Sequence, residues 1–409
     1  MTKWLIRFFG GESMRKLFSI VFSAVLLLIV SGQETWAQKA KVYDLGTYPG
    51  GTWAEVVAIN DFGLAGGDGD TGNNRYCGAS GDTRPVGVPL FGPQAMQWFD
   101  LGTFGGKTCG ASSSADASIT GIADTGLIVG LAPLTDDPDP TTHAFVWTPK
   151  SGKIDIGTLE ALGYQHSNAI GVNKLGTLVV GWSAEAHQPW LGKSLPVVWR
   201  PSIMWGPHGW TTTWKIQKLE TTGFEQFPHW YAVTVNDSGQ IIGSAFDDSG
   251  NEIAVLWNPL LGGNGWKIEQ LDGSPDYPIA WPNDINERGE IVGDVATTDW
   301  NTALPALWKP VGNQRKSWNL TVLPALSGLP QGWNEARGLN DLGDIVGDSN
   351  DADGNWLAAR WSTKDPGFIR VLGFPGDWST AARVNNYGIA AGGYGVGDNP
   401  ERAVAVKFR

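Results

Sequence analysis

Trp53, Asp116, His166, His229, Ile279, Trp333 and Trp378 each stand seven residues before a turn of asparagine type, and Glu55, Ser118, Asn168, Tyr231, Trp281, Glu335 and Thr380 stand five before it. The residues around these positions repeat along the chain, whereas the positions themselves change. In a repeat protein, variation at equivalent places on one rim is where function can be carried without harm to the fold. The mixture of indole, imidazole, phenol and carboxylate suits a flat polar ligand whose apolar faces stack on rings while acids and amides bond its hydroxyls. Carbohydrate fits that description. The candidate ligand-binding residues are therefore Trp53, Glu55, Asp116, His166, His229, Tyr231, Trp333, Glu335 and Trp378. The plainer alternative is that the same side chains only pack the rim. Glycoside chemistry would need two carboxyls about 5 to 9.5 Å apart, and Glu55, Asp116 and Glu335 are the acids available for it.

Other chemistry is poorly represented. There is no G-x-S-x-G elbow, no H-E-x-x-H and no phosphate-binding loop, so no catalytic residue is nominated. The five histidines, His143, His166, His187, His208 and His229, show no ligand spacing on one element. Acidic stretches occur at Asp68-Gly69-Asp70, Asp136-Asp137-Pro138-Asp139, Asp247-Asp248 and from Asp348 to Asn355. In the last, Asp348, Asn350, Asp351 and Asp353 precede Gly354 as oxygen ligands precede the glycine of a calcium loop, but the closing bidentate glutamate is missing. Calcium is a candidate there against a solvated turn, and no other cofactor is expected.

The elements that must position these residues follow from the turns. The copies are Asn60-Asp61-Phe62-Gly63, Ala123-Asp124-Thr125-Gly126, Asn173-Lys174-Leu175-Gly176, Asn236-Asp237-Ser238-Gly239, Asn286-Glu287-Arg288-Gly289, Asn340-Asp341-Leu342-Gly343 and Asn385-Asn386-Tyr387-Gly388. Asn, Asp and Gly tolerate the left-handed backbone of a tight hairpin. A small-residue strand precedes each turn, such as Ala169-Ile170-Gly171-Val172. A second strand ending in glycine follows it, such as Asp344-Ile345-Val346-Gly347, and leads into a variable polar loop. A third strand ends in tryptophan at Trp147, Trp199, Trp257, Trp308 and Trp361, with Phe91 and Phe408 as stand-ins in the first and last repeats. A fourth strand follows, as at Phe99-Asp100-Leu101-Gly102. Four short strands repeated seven times, at a period of roughly 45 to 63 residues, indicate an all-β, seven-bladed β-propeller of four-stranded blades.

The phase indicates a closed ring. The chain starts on a fourth-type strand at Tyr43-Asp44-Leu45-Gly46 and ends on a third-type strand at Ala405-Val406-Lys407-Phe408, so the N-terminal strand should pair into the last blade and remove two open edges. An open solenoid gains nothing from that offset. The composition, with Gly 56, Pro 24 and Trp 22, is that of many short hairpins. The third-strand tryptophans are expected to pack blade on blade. A net charge of −12 with no basic stripe excludes a nucleic-acid surface.

Residues 1–37 read as a secretory signal peptide. Arg15 and Lys16 precede an apolar run over residues 17–30, and a polar stretch ends at Thr35-Trp36-Ala37. Met14 begins a more typical signal than Met1, so residues 1–13 can reflect the choice of start site. Residues 38–409 then form one propeller domain, exported to the periplasm or outside the cell, with no membrane contact after cleavage. Two cysteines in an exported chain suggest one disulfide, Cys77 to Cys109, because the loops that carry them leave a propeller on the same face.

His143-Ala144-Phe145-Val146-Trp147, followed by Ile154-Asp155-Ile156-Gly157-Thr158-Leu159, resembles the signature of the HAF-repeat family of extracellular bacterial repeat proteins. Phe99-Asp100-Leu101-Gly102-Thr103-Phe104-Gly105-Gly106 and the Asn-Asp-x-Gly turns agree with it over nearly all of the mature chain. Repeats four to seven depart from it, where the Asp-Leu-Gly-Thr element decays to forms such as Gln217-Lys218-Leu219. The resemblance implies export and repeat architecture and carries no catalytic residues. Three function classes fit: a secreted, non-catalytic binding or scaffold module for polysaccharide or a cell-surface protein, a glycan-active propeller enzyme using rim carboxylates, and a purely structural surface protein. The first is favoured, acting as a monomer.

Overall fold

A computed structural model describes residues 40–70, 83–104, 117–134, 141–206, 209–263, 265–312, 317–329, 332–397 and 401–409. Asp116, both cysteines and residues 1–37 lie outside the described residues, as does the acidic stretch 136–139. The unit Lys41–Phe408 is a seven-bladed propeller of antiparallel sheets. The innermost strands of blades one to seven are Ala58–Ile59, Ser118–Ile122, His166–Val172, His229–Val235, Ile279–Ile285, Glu335–Leu339 and Trp378–Val384. The strand Lys41–Gly46 joins the last blade against Arg402–Lys407, with Val42 opposite Val406 and Tyr43 opposite Ala405. The ring is thus closed by the N-terminal strand, as the phase of the repeats requires.

The turn asparagine has two roles. Its Oδ1 accepts from backbone N–H groups within its own turn, as from Leu64 to Asn60 at 2.9 Å and from Asp344 to Asn340 at 2.9 Å. Its Nδ2 donates to the equivalent carbonyl of the next blade: Asn60 to Ala123, Asn236 to Asn286, Asn286 to Asn340, Asn340 to Asn385, and Asn385 back to Asn60. The fourth turn residue holds a positive φ, for instance 79° at Gly63 and 86° at Gly343, a region open to glycine at little cost.

The second-strand glycine has a different cause. In six blades the inner strand carries a bulge, so that the residue three before the turn asparagine is unpaired: Thr120, Ile170, Val233, Asn283, Arg337 and Ala382. The carbonyl two residues earlier is pressed against the glycine. A Cβ on Gly347 would lie 1.9 Å from the Glu335 oxygen, on Gly181 1.9 Å from that of Asn168, and on Gly293 2.2 Å from that of Trp281. A bulge re-aims a side chain, and here it sets which residues face the channel.

Trp199, Trp257 and Trp308 are fully buried between blades. The indole N–H of Trp257 donates to Glu220 O at 2.7 Å, that of Trp308 to Asp272 O at 3.0 Å and that of Trp361 to Pro324 O at 2.8 Å, each at the end of the preceding blade. The stand-ins in the first and last repeats are not the phenylalanines expected. Val88 and Val406 occupy the tryptophan register, opposite Ala65 and Ala390. Phe91 lies beyond its strand edge-on to Tyr43, and Phe408 lies under Arg360. The Asp-Leu-Gly element is a local turn: Gly46, Gly102 and Gly157 donate their N–H to Asp44, Asp100 and Asp155.

Candidate functional site

The two ends of the channel differ in kind. At the turn end, the second turn residue accepts from the N–H of the preceding turn: Asp61 N to Asp124, Asp237 N to Glu287, Glu287 N to Asp341, Asp341 N to Asn386 and Asn386 N to Asp61. Lys174 stands in this acidic circle. Its Nζ bonds Asp341 and lies 3.9 Å from Asp61 Oδ2. Burial raises the Asp124 and Glu287 carboxyls above their ordinary range. Asp341 is held below it, because the bond from Lys174 and its other donors outweigh burial. A cavity of about 120 Å³ sits here, lined in part by Asn60, Asp61, Lys174, Asp284, Arg383 and Asn386. It is at the end of the channel opposite the expected rim.

The inner strands all begin at the other end, and the expected site residues divide there. Trp333 joins Trp281 and Trp300 in a cluster of three indoles. Trp300 stacks on Trp281 at 5.5 Å and on Trp333 at 6.3 Å, and Trp281 and Trp333 are 6.4 Å apart. Trp333 is 37% exposed. Two devices hold the cluster. Gly332–Trp333 pairs parallel with the third strand of blade five, Ala303 opposite Trp333, and Trp300 sits at φ 58° in the loop before that strand. A positive φ on an indole-bearing residue is strained.

Glu335 pairs with Arg337, which the bulge turns toward this end, and the Arg337 charge also acts on Glu55. Arg337 Nη2 lies 2.5 Å from Glu335 Oε2, and its Nε donates to Asp348 Oδ1 at 2.8 Å. Burial works against the Arg337 charge, but Asp348, Glu335 and Asp294 outweigh it and raise its pKa. Burial pushes Glu55 up, with Arg337 pulling the other way. Across the closure seam, Glu401 accepts the Ala54 N–H on its backbone oxygen at 3.1 Å. Its carboxyl lies over Gly393, where a Cβ would fall 1.7 Å from Oε1, and burial reinforced by Glu55 pushes it up to about 7. Burial likewise takes Asp348 to about 7 despite Arg337.

The remaining rim residues are taken up by partners within their own blade or the preceding one. Tyr231 donates its hydroxyl to Glu252 Oε1 at 2.6 Å, and burial, then the Glu252 charge, raises the phenol well above its usual range. His229 is buried, with Nδ1 2.9 Å from the Pro189 and Gly192 carbonyls and Nε2 3.0 Å from Asp248. His166 has its Nδ1 3.4 Å from Thr142 and its ring edge-on to His187. The Trp378 indole packs over Gly395, whose Cβ would lie 2.3 Å from it. Trp53 is partly buried and accepts the Asp70 N–H on its carbonyl.

The acidic stretch does not form one loop. Asp348 and Asn350 belong to the second strand Asp344–Asn350, with Asp348 fully buried. Asp351 caps its own exposed turn, accepting from Asp353 N, Asn355 N and Asn355 Nδ2. Among the described residues no group of three or more His, Cys, Asp or Glu is placed to hold a metal ion, and no helix is long and apolar enough to cross a membrane.

Neither family models nor curated proteins match the chain. Solved structures align with it at low identity. Trypanosoma rangeli sialidase aligns at 14% identity and a TM-score of 0.42, over 70% of this chain and 53% of its own. A Hadza microbial sialidase aligns at 10% identity and 0.42, over 70% and 64%. An arginine-to-alanine triple mutant of AofleA from Arthrobotrys oligospora aligns at 13% identity and 0.37, over 89% of both chains. The chain spans about half the length of the Trypanosoma rangeli protein it matches.

Proposed function

We propose that this protein is an exported, non-catalytic binding module that takes a saccharide at the channel end where the inner strands begin. The observation that carries the reading is the cluster of Trp281, Trp300 and Trp333, held partly open to solvent by a strained backbone and an added parallel strand. Ring stacking of this kind is worth about 1 to 3 kcal/mol per aromatic group, by analogy with bases on aromatic side chains. The polysaccharide, or a glycan on a cell-surface protein, is the partner. Export follows from the signal-like N-terminus and the HAF-repeat resemblance. The test is a glycan array on the mature protein, followed by the Trp300→Ala, Trp333→Ala double variant. Binding of every array ligand should fall at least tenfold while thermal unfolding stays within a few degrees. A double variant that unfolds would make the indoles packing residues and return the protein to the structural class.

A glycan-active enzyme is the second reading, favoured by Glu401 and Asp348, whose carboxyls are held near neutrality at the same end. Release of reducing ends from a bound glycan, abolished by Glu401→Gln, would establish it.

A further inference from the structure

This inference rests on the saccharide reading and names the sugar's charge. The end of the channel that carries the indoles gathers acids in excess of bases. Glu335 and Asp348 face each other directly across two strands of blade six, an arrangement that is unfavourable without a cation between them. Arg337 supplies one and is consumed by both. Glu55 from blade one, Glu401 from blade seven and Asp294 from blade five lie within electrostatic reach of the same guanidinium or of one another. Asp294 already accepts from Ala336 N and Asn283 Nδ2.

Hydrogen-bond acceptors are in excess as well. Asp348 is fully buried, and its Oδ2 has no partner among the described residues. Two residues on, and so on the same face of the strand, Asn350 donates its Nδ2 to the Trp333 carbonyl at 3.2 Å and leaves a buried Oδ1 without a partner among the described residues. Buried acceptors without donors are costly, and these two flank the attachment of the exposed indole. The indoles point the same way. The face of a tryptophan is the best aromatic partner for a cation. An ammonium group offers three donors and no acceptor, which is the complement of what this end displays.

We infer that the bound saccharide carries free amino groups, its sugar rings lying on Trp300 and Trp333 and an ammonium group meeting the Glu335, Asp348 and Asn350 oxygens. A neutral sugar would satisfy the indoles but bring fewer donors to the acids, and an acidic sugar would be repelled by them.

The test uses the mature protein and three oligosaccharides of equal length: a glucosamine oligomer, its fully N-acetylated counterpart and a glucose oligomer. Affinity is read by calorimetry at pH 7 and low salt, where Glu401 and Asp348, raised to about 7, are partly ionised and the sugar amines remain partly protonated. The glucosamine oligomer should bind at least tenfold tighter than the other two, and the gap should close in about 0.5 M salt as screening shortens the reach of the charges. Glu335→Gln should bring the glucosamine oligomer down to the acetylated level and leave the acetylated one unchanged. Glu401→Gln is the second variant, used if Glu335→Gln does not fold. Equal or weaker binding of the free amine would overturn the inference and leave the saccharide reading standing. Tighter amine binding that neither variant alters would also overturn it, as non-specific attraction to an acidic chain. Binding of none of the three, together with a blank array, would remove both.

Discussion

Replacing Lys174 by Met should uncouple the turn end of the ring. The ammonium bonds Asp341 and lies 3.9 Å from Asp61, with Asp124 close enough to add to its charge preference. Two unit charges about 4 Å apart attract by about 4 kcal/mol at an effective dielectric constant near 20. The lysine side chain is 36% exposed, so screening and desolvation cut this well below the 3 to 5 kcal/mol typical of breaking a buried pair. The expected loss is about 1 to 3 kcal/mol at pH 7.5, read from urea midpoints at unchanged slope. Its pH dependence follows from the shifts. The Lys174 pKa is raised, so its contribution is complete below the unfolded lysine value of 10.5 and is lost as pH rises through the folded one. The Asp341 pKa is lowered, so its share is present above the ordinary aspartate value and is lost as pH falls through the lowered one. Asp124 and Glu287 are raised, so while ionised they oppose folding, and they do so more once the lysine is gone. The deficit of the variant should therefore be fullest from about pH 6 to 9 and shrink below about pH 4, where carboxylates protonate. A deficit under about 0.5 kcal/mol, or one equal at pH 7.5 and at about pH 2.5, would show that the carboxylates close the ring through their backbone donors alone.

Two further changes separate mechanisms that look alike in the sequence. Gly347→Ala should cost about 2 to 3 kcal/mol through overpacking against the Glu335 carbonyl, whereas Gly354→Ala, at φ 85° with open space around it, should cost only about 1 kcal/mol of backbone strain; paired urea titrations decide. Trp257→Phe leaves the Glu220 carbonyl without its indole donor, whereas Trp199 is equally buried and its Nε1 has no partner among the described residues. Trp199→Phe should therefore be the milder by about 1 kcal/mol in thermal unfolding.

The architecture was legible because its signals are local. A turn asparagine bonds within a few residues of itself, an Asp-Leu-Gly element closes on itself, and the phase of the repeats carries the closure. The bulge was not legible, because it is a register event between two strands. The glycine that marks it reads equally well as the end of a strand. Arg337 was consequently not foreseen as the residue that binds the rim acids together. Trp300 sits in a variable loop outside any repeat frame, and only the fold brings it against Trp281 and Trp333. Asp348 was read as part of a polar loop because the strand was expected to stop at Gly347, and the strand in fact continues to Asn350. His229 stands where the register places it, but carbonyls from the 189–192 loop take its ring.

The distribution of these departures is itself informative. At the turn end the repeats agree, and their side chains bond the next blade in succession around the ring. At the other end blades three and four spend Tyr231, His229 and His166 on their own partners, while blades five, six, seven and one supply the indoles and the excess acids. Those four blades are contiguous and straddle the closure seam. Glu55 belongs to the first blade and Glu401 to the last, and the only covalent route between them runs the whole way round the ring. A ligand that holds both acids therefore stabilises the closed ring as well as its own site, since it binds the closed form and not an opened one. Such a ligand would couple stability to recognition at the seam, and Arg337, whose charge acts on both glutamates, is the residue through which that coupling would pass.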